Sequence, residues 1–273
     1  MPDADLSLAV PAVFFGSVGT AGQRCTSTRR LYLHRAIAPE FLARLKALYT
    51  SPALRPGDPL DARTLLGPLH SRAALTIYDD AIAELKDAGA QILGGGSGRY
   101  DELDLPAPLD HGNFVRPAIA IIIPERLKKS RSKFESRARV RDMDADAGAA
   151  AAAAALWAKE RFVPVLCVAE FEELEEAIAW NNAVPQGLSS SLWTRDVRNV
   201  GKWIGPAGSD TGIVNVSIFF SLRRFLVETE MFVCLFFVRS TSVRVVRRLV
   251  RHLAGTRSAL FCDIRSSTLV AGT

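Results

Sequence analysis

The sequence predicts an α/β fold with a mostly parallel sheet. Short apolar runs suited to buried strands alternate along the chain with segments whose apolar residues recur at helical spacing. Strands that alternate with helices are typical of parallel sheets, because parallel neighbours must be joined by a crossover connection. The 273 residues, 48% of them hydrophobic, are enough for one large core or two smaller ones.

Five helices are predicted, four of them from apolar periodicity. In chain order these four cover residues 39–49, 73–88, 172–180 and 197–203. Pro39 suits the first turn of its helix, and Gly89 suits the position just past the end of the next one. The alanine-rich residues 149–159 predict the fifth, because alanine has the highest helix propensity.

Six strands are predicted from short apolar or β-favouring runs. They cover residues 31–34, 92–93, 118–123, 165–168, 189–193 and 213–216. The runs at 118–123 and 165–168 are apolar throughout, which suits strands buried on both faces. The glycine-rich residues 94–98 spell no G-x-G-x-x-G, so we interpret them as a surface turn rather than a phosphate-binding loop.

A glycine-rich segment at residues 15–26 converges on Cys25. Its glycines allow the backbone to approach a substrate closely, while Arg24, Arg29 and Arg30 favour a thiolate. The segment therefore predicts a loop that carries a cysteine nucleophile, which we expect near the carboxyl ends of the parallel strands. The alternative interpretation is that Cys25 is a small buried hydrophobic residue.

The segment Gly22-Gln23-Arg24-Cys25 resembles the G-Q-x-C nucleophile motif of the aldehyde dehydrogenase superfamily. Four further segments resemble family motifs in the same order, namely Asp3-Ala4-Asp5-Leu6, Gly67-Pro68-Leu69, Glu160-Arg161-Phe162-Val163-Pro164 (for E-x-F-[GA]-P) and Gln186-Gly187-Leu188-Ser189. Residues 19–26, 180–182, 186–191 and 208–216 are similar to family 7, the antiquitin or alpha-aminoadipic semialdehyde dehydrogenase group. The resemblance covers most of residues 1–124 and 159–218, and it implies a three-layer catalytic domain.

The resemblance implies that the Cys25 thiolate attacks an aldehyde and, after hydride transfer to NAD, carries a thioester that water hydrolyses. It assigns Glu160 to the nicotinamide ribose of NAD and Phe162 to the nicotinamide ring. It also assigns substrate contacts to Thr26 and to Arg24, whose guanidinium would hold a distal carboxylate through two hydrogen bonds. The resemblance thus implies oxidation of a small carboxylated aldehyde, such as alpha-aminoadipic semialdehyde.

Residue type alone favours less specific roles for three of these side chains. Glu160 would be a solvated carboxylate at a helix end, Phe162 a core aromatic residue, and Arg24 a surface cation.

The resemblance further predicts that the chain is an incomplete, C-terminal fragment of the catalytic domain. The family's deacylating glutamate lies in an E-L-G-G-type motif upstream of the cysteine by more residues than precede Cys25. The dinucleotide-binding half is expected to be missing as well, and so is the strand that joins subunits in this homo-oligomeric family. We therefore expect no sustained aldehyde oxidation by the chain alone. A non-catalytic binding module and a non-functional product of an incorrect gene model are the alternatives.

The predicted organisation has four parts: a nucleophile-bearing part, a low-complexity insertion, a continuation of the catalytic domain, and a basic and apolar tail. They cover residues 1–124, 125–158, 159–218 and 219–273. We expect the insertion and the tail to pack poorly, because neither offers matched apolar faces. The tail has two interpretations, translated non-coding sequence or a basic amphipathic interaction segment.

Charge and cysteine usage argue against several functional classes. Residues 219–273 contain nine arginines and three acidic residues, so they carry +6 and leave −1 on residues 1–218. We therefore expect no nucleic-acid partner for the family-like part. The four cysteines show no metal-ligand spacing, so we expect no metal site and a reducing, cytoplasmic compartment. No apolar run approaches the roughly 18 residues that span a bilayer, and the acidic start differs from a signal peptide.

Overall fold

In a computed structural model of the chain, the structure describes residues 1–94, 105, 109, 111–122 and 155–216. The predicted tail lies outside the described residues, and so does the predicted insertion apart from residues 155–158, which are helical. The glycine-rich turn lies outside them beyond residue 94.

The core is built on a four-stranded sheet that is mostly parallel, which confirms the predicted fold class. Its strands are β1 (Arg30–His34), β2 (Gln91–Gly94), β3 (Ala118–Ile121) and β4 (Val165–Phe171), in the spatial order β1-β4-β3-β2. Strands β1 and β3 pair with β4 in parallel, whereas β2 runs antiparallel to β3. Strand β4 is buried at all but one of its residues, in agreement with the apolar run at residues 165–168.

Two further strands form a separate pair among the described residues. Strands β5 (Ser189–Leu192) and β6 (Ile213–Val216) run parallel to each other. Buried hydroxyl and amide groups tie this pair to the helices around it. Ser190 Oγ lies 2.8 Å from Ser209 Oγ and 2.9 Å from Thr211 Oγ1, and Asn181 Nδ2 donates to Ser209 Oγ at 3.0 Å. The family 7-like residues of this region thus hold the second sheet in place.

The described residues include five α-helices of eight residues or more: α1 (Leu6–Val18), α2 (Ala38–Tyr49), α3 (Arg72–Asp87), α4 (Leu174–Asn182) and α5 (Val197–Ile204). Helices α2 to α5 confirm the four helices predicted from periodicity, with ends displaced by at most two residues at each terminus. The predicted apolar face of α3, with Tyr78, Ile82 and Leu85, is buried. Gly89 follows it with a φ of 72°, as the predicted helix stop requires.

Helix α1 is a correction to the sequence analysis, which predicted a loop from residue 15 onward. The segment is helical up to Val18, and a tight turn at Gly19–Gly22 follows, in which Thr20, Ala21 and Gly22 have left-handed φ values of 55°, 52° and 70°. Its apolar residues face both the core and the surface, where Leu8 and Phe15 are exposed, so no helical period marks it. Pro11 lies inside the helix and further weakens the sequence signal.

The acidic segment before α1 anchors the start of the chain. Asp5 caps α1 by accepting a hydrogen bond from the Ser7 amide at 2.9 Å. The Asp3 carboxylate accepts hydrogen bonds from Thr194 Oγ1 at 2.9 Å, from the Arg195 amide at 2.6 Å and from the Asp196 amide at 3.0 Å. Asp3 therefore fastens the chain before α1 to the segment that leads into α5.

We predict that Asp3→Ala destabilises the fold by about 2 kcal/mol, because three donors lose a charged acceptor. Burial acts to raise the pKa of Asp3, but the hydrogen bonds from Arg195, Thr194 and Asp196 outweigh it and the pKa lies below its usual value. A lowered pKa stabilises the folded state above the unfolded pKa, and this stabilisation disappears as the pH falls through the folded value. The free energies of unfolding of the wild type and of Asp3→Ala, measured in urea, should therefore converge at acidic pH. A difference that persists at acidic pH would contradict the ionised Asp3 carboxylate as its cause.

Candidate active site

Cys25 lies on a tight turn that leads into β1. The Ser27 amide donates to the Arg24 carbonyl at 3.1 Å, and the Arg24 amide donates to Ser27 Oγ at 3.0 Å. Ser27 is buried, whereas Cys25 and Thr26 are exposed at the tip of the turn. The interpretation of Cys25 as a buried hydrophobic residue is therefore wrong, and its thiol is accessible.

The site lies at the amino ends of the parallel strands, where the sequence analysis expected the carboxyl ends. Cys25 shortly precedes β1, and Glu160 shortly precedes β4. Because β1 and β4 are adjacent and parallel, their amino ends share one edge of the sheet. The expectation was wrong because it applies to loops that leave strands, whereas this turn enters one.

Arg29 joins the predicted cofactor residues to the cysteine turn. Its Nη1 lies 3.3 Å from Glu160 Oε1, and its Cζ lies 4.4 Å from the centre of the Phe162 ring. The side chain of Arg29 is 19% exposed and that of Glu160 32%, so water screens this ion pair less than a fully exposed one. Glu160 is therefore paired, which differs from the solvated carboxylate that residue type alone favoured.

The same guanidinium also binds the backbone of the cysteine turn. Its Nη2 donates to the Arg24 carbonyl at 2.9 Å, and its Nη1 donates to the carbonyls of Ser27 at 3.3 Å and Cys25 at 3.4 Å. Burial lowers the pKa of Arg29, the Glu160 carboxylate opposes this shift, and Arg30 adds to it. The guanidinium stays charged near neutral pH, because an arginine does not deprotonate in proteins.

Phe162 is held with its ring outward. Its φ is 52°, in the left-handed region that a bulky residue rarely adopts, and its neighbours Arg161 and Val163 are buried while Phe162 is 39% exposed. The interpretation of Phe162 as a core aromatic residue is therefore wrong. Such a conformation costs roughly 1 to 3 kcal/mol and must be held by its surroundings, which here include the Arg29 guanidinium.

Glu84 on α3 clamps the residues on either side of Glu160. Lys159 Nζ lies 2.6 Å from Glu84 Oε1, and Arg161 Nη2 lies 3.0 Å from Glu84 Oε2. Only 7% of the Arg161 side chain is exposed, so this pair is largely shielded from water. Glu160 is thus positioned directly by Arg29 and indirectly by Glu84, which pairs with both of its neighbours in the sequence.

We predict that Glu84→Ala lowers the free energy of unfolding by about 2 to 3 kcal/mol, because Arg161 keeps a buried charge and loses its carboxylate. Urea unfolding followed by circular dichroism measures the effect. Glu40→Ala is the matched control, since Glu40 forms an exposed pair with Arg44 within α2 and should change stability by less than about 0.5 kcal/mol. Equal effects of the two substitutions would contradict the clamp.

Two residues of the G-Q-x-C segment join the family-like motifs to one another. Gly22 has a φ of 70°, and a Cβ at this position would lie 2.6 Å from the Val163 carbonyl oxygen. Gln23 Oε1 accepts a hydrogen bond from the His70 amide at 2.9 Å, and Gln23 Nε2 donates to the Pro68 carbonyl at 3.4 Å. The cysteine segment is therefore packed against both the E-x-F-[GA]-P-like and the G-P-L segments.

The side chain of Arg24 turns away from the other predicted site residues. Its Nη2 donates to the Phe15 carbonyl at 3.1 Å, and its Cζ lies 5.0 Å from the centre of the Phe15 ring. Arg24 thus packs on the end of α1 and is more constrained than a free surface cation. Its assignment to a substrate carboxylate stays a prediction.

The remaining predicted residues share one cavity of about 1040 Å³. They are Cys25, Thr26, Glu160 and Phe162, and Arg29 lines the cavity with them. Arg24 is not among the residues that line this cavity.

Within the described part of the chain, no group of three or more histidine, cysteine or acidic residues is arranged to hold a metal ion. Over the same residues, no helix is long and apolar enough to cross a membrane.

A known protein family matches most of this sequence. The sequence profile of the aldehyde dehydrogenase family matches residues 1–129 and 149–222, which include every predicted site residue. The chain belongs to the aldehyde dehydrogenase family.

Two relatives point to the family 7 branch of the aldehyde dehydrogenases. Aldehyde dehydrogenase family 7 member A1 of Pisum sativum is 44% identical over 218 residues, which are 80% of this chain and 35% of that protein. Alpha-aminoadipic semialdehyde dehydrogenase of Mus musculus is 40% identical over 217 residues, 79% of this chain and 33% of that protein. The chain thus spans about a third of the length of these relatives.

The fold agrees with solved aldehyde dehydrogenases. Lactaldehyde dehydrogenase from Escherichia coli superposes with a TM-score of 0.59 at 26% sequence identity, covering 81% of this chain and 39% of that one. The α/β architecture described above is therefore that of an aldehyde dehydrogenase.

Proposed function

We propose that this chain is the nucleophile-bearing part of an NAD-dependent aldehyde dehydrogenase and that Cys25 is its nucleophile. The observation that carries the proposal is the contact of one side chain, Arg29, with the Cys25 turn, with Glu160 and with Phe162. These residues were assigned to one site from separate motifs. Similarity to the pea and mouse relatives supports a substrate of the alpha-aminoadipic semialdehyde type.

The chemistry begins at the exposed turn. The Cys25 thiolate attacks the aldehyde carbon, so that a carbon–sulfur bond forms and the carbonyl electron pair moves to oxygen. The Cys25 amide donates to no acceptor within the described part of the chain, which leaves it available to the developing oxyanion. Once the hydride has left that carbon, Cys25 carries a thioester, and water then displaces the sulfur and releases the acid.

Two residues of the cavity fit the role that the family resemblance gives them toward NAD. Glu160 offers a partly exposed carboxylate that can accept hydrogen bonds from ribose hydroxyls, and Phe162 offers a partly exposed ring. When bound, NAD supplies the acceptor for the hydride. The 273 residues contain no E-L-G-G sequence, and we assign the deacylating base to none of them. The proposal for this chain is therefore capture of a carbonyl substrate and acylation of Cys25 by that substrate.

Acyl transfer from p-nitrophenyl acetate tests this function without any cofactor. Attack by Cys25 on the ester releases one nitrophenolate and leaves an acetyl thioester, which intact mass and peptide mapping locate. We expect near-stoichiometric acylation of Cys25, and loss of the fast phase in Cys25→Ala. Cys167→Ala is the matched control and should keep the fast phase, because Cys167 is buried in β4.

Two results would contradict the proposal. The first is a fast phase of equal size in Cys25→Ala. The second is a folded wild-type protein that acquires no acetyl group on Cys25, which would favour a non-catalytic binding module instead.

A further inference from the structure

Arg29 contacts each part of the candidate site, yet no family motif quoted above assigns it a role. We infer that Arg29 is a positioning residue that shapes the Cys25 turn and orients the arm containing Glu160 and Phe162. The inference rests on the proposed function, because it takes Cys25 to be the nucleophile.

The hold on the cysteine turn depends on the shape of the guanidinium. Its two terminal nitrogens reach three consecutive points of the turn, the carbonyls of Arg24, Cys25 and Ser27. A planar fork with fixed donor directions can bind several carbonyls at once, whereas a lysine ammonium is a compact point charge on a flexible stem. Arg29→Lys therefore keeps the charge and loses most of the fork.

The contact of Arg29 with the arm that contains Glu160 and Phe162 is electrostatic. The Glu160 carboxylate lies 3.3 Å from Nη1, the same nitrogen that contacts the Cys25 and Ser27 carbonyls. One guanidinium nitrogen thus joins the arm to the cysteine turn: the ion pair holds the arm, and the carbonyl contacts hold the turn.

The Phe162 ring provides the third contact. Its backbone is in a strained left-handed conformation, and the Arg29 Cζ lies 4.4 Å from the ring centre. A guanidinium over an aromatic face is attractive, by about 0.5 to 2 kcal/mol depending on desolvation, which is comparable to the strain. Arg29 therefore helps to hold the ring in its outward position.

Hydrogen exchange of residues 23–28 and of residues 159–163, together with the rate of Cys25 acylation by p-nitrophenyl acetate at one pH, tests the inference. The variants are Arg29→Met, Arg29→Lys, Glu160→Gln and the double variant Arg29→Met with Glu160→Gln. Arg44→Met and Glu40→Gln are matched controls, because they break an exposed ion pair within α2 that lies outside the site.

Each variant should loosen the part whose contact it removes. Arg29→Met should accelerate exchange in both peptides and slow Cys25 acylation, because it loses the carbonyl contacts and the ion pair. Glu160→Gln should accelerate only residues 159–163, since the cysteine turn keeps the guanidinium. The double variant should resemble Arg29→Met, because both substitutions remove the same ion pair. Both controls should leave the two peptides unchanged.

The loss of the fork has its own readout. Arg29→Lys should accelerate residues 23–28 as Arg29→Met does, but leave residues 159–163 near the wild type, because the ammonium still pairs with Glu160. A general loss of stability would instead accelerate both peptides together in every variant.

The inference is overturned if Arg29→Met leaves the exchange of residues 23–28 unchanged, or if Glu160→Gln and Arg29→Lys each accelerate both peptides equally. If Arg29→Met does not fold, Arg29→Lys and Glu160→Gln decide the outcome. Failure of the proposed function is distinguishable, because it appears as absent acyl transfer in a wild-type protein whose hydrogen exchange still depends on Arg29.

Discussion

Iodoacetamide is expected to label Cys25 at least about 100-fold faster than Cys167 near neutral pH. Cys25 is exposed on a turn bound by Arg29, whereas Cys167 is buried in β4. Burial raises the pKa of the Cys167 thiol to about 11. Near neutral pH only roughly one Cys167 thiol in ten thousand is then ionised, and the reagent reaches it only when the sheet opens.

Brief labelling of the native protein followed by peptide mapping measures this ratio. The same labelling in concentrated urea is the control, since unfolding removes the burial and should bring the two rates close together. Preferential native labelling of Cys167 would contradict the placement of the thiols in this fold. Preferential labelling of Cys234 or Cys262, which lie outside the described residues, would contradict the prediction that Cys25 is the most reactive cysteine.

The second large effect is expected at Gly22, where alanine should destabilise the fold by about 3 kcal/mol. A Cβ would lie 2.6 Å from the Val163 carbonyl oxygen, 2.7 Å from its carbon and 2.9 Å from the Pro164 nitrogen. All three are backbone atoms, which cannot move aside like a flexible side chain. The φ of 70° adds strain for any residue with a Cβ. We therefore expect the cysteine turn and the segment before β4 to separate.

Urea unfolding and Cys25 alkylation of Gly22→Ala measure the two consequences, lower stability and altered thiol reactivity. Gly201→Ala is the matched control, because Gly201 lies inside α5 and a Cβ there would meet nothing within 4 Å. That substitution should stabilise the protein by roughly 0.5 to 1 kcal/mol, since it reduces the entropy of the unfolded chain. Similar destabilisation by both alanines would show that the close approach at Gly22 is not its cause.

The elements that the sequence predicts best are those with one buried face or two. Helix α3 and strand β4 have residue patterns that burial alone requires, so their existence follows from the chain, although β4 continues to Phe171, beyond the predicted residues 165–168. Helix α1 fails the same test because it is apolar toward the core and toward the surface. Apolar periodicity indicates a helix that has one apolar and one polar face, and α1 is apolar on both faces.

The motifs indicated the candidate site residues, but not which of them contact each other. Cys25, Glu160 and Phe162 belong to separate segments, and the sequence indicated each of them only through family resemblance. Arg29 was noticed as one of three nearby arginines, and nothing in the order of residues distinguishes it from Arg30. Glu84 carried no signal at all, because its role depends on a helix distant in sequence that packs beside Glu160.

By itself, the sequence determined the α/β class, most of the helices and strands, the nucleophile candidate and the aldehyde dehydrogenase resemblance. These depend on local patterns of burial, turn chemistry and motif. Only the tertiary structure decided that the site lies at the amino ends of β1 and β4, that Arg29 joins its parts, and why Gly22 must lack a side chain. Each of these is a distance between segments far apart in the chain, and such distances are set by packing rather than by local sequence.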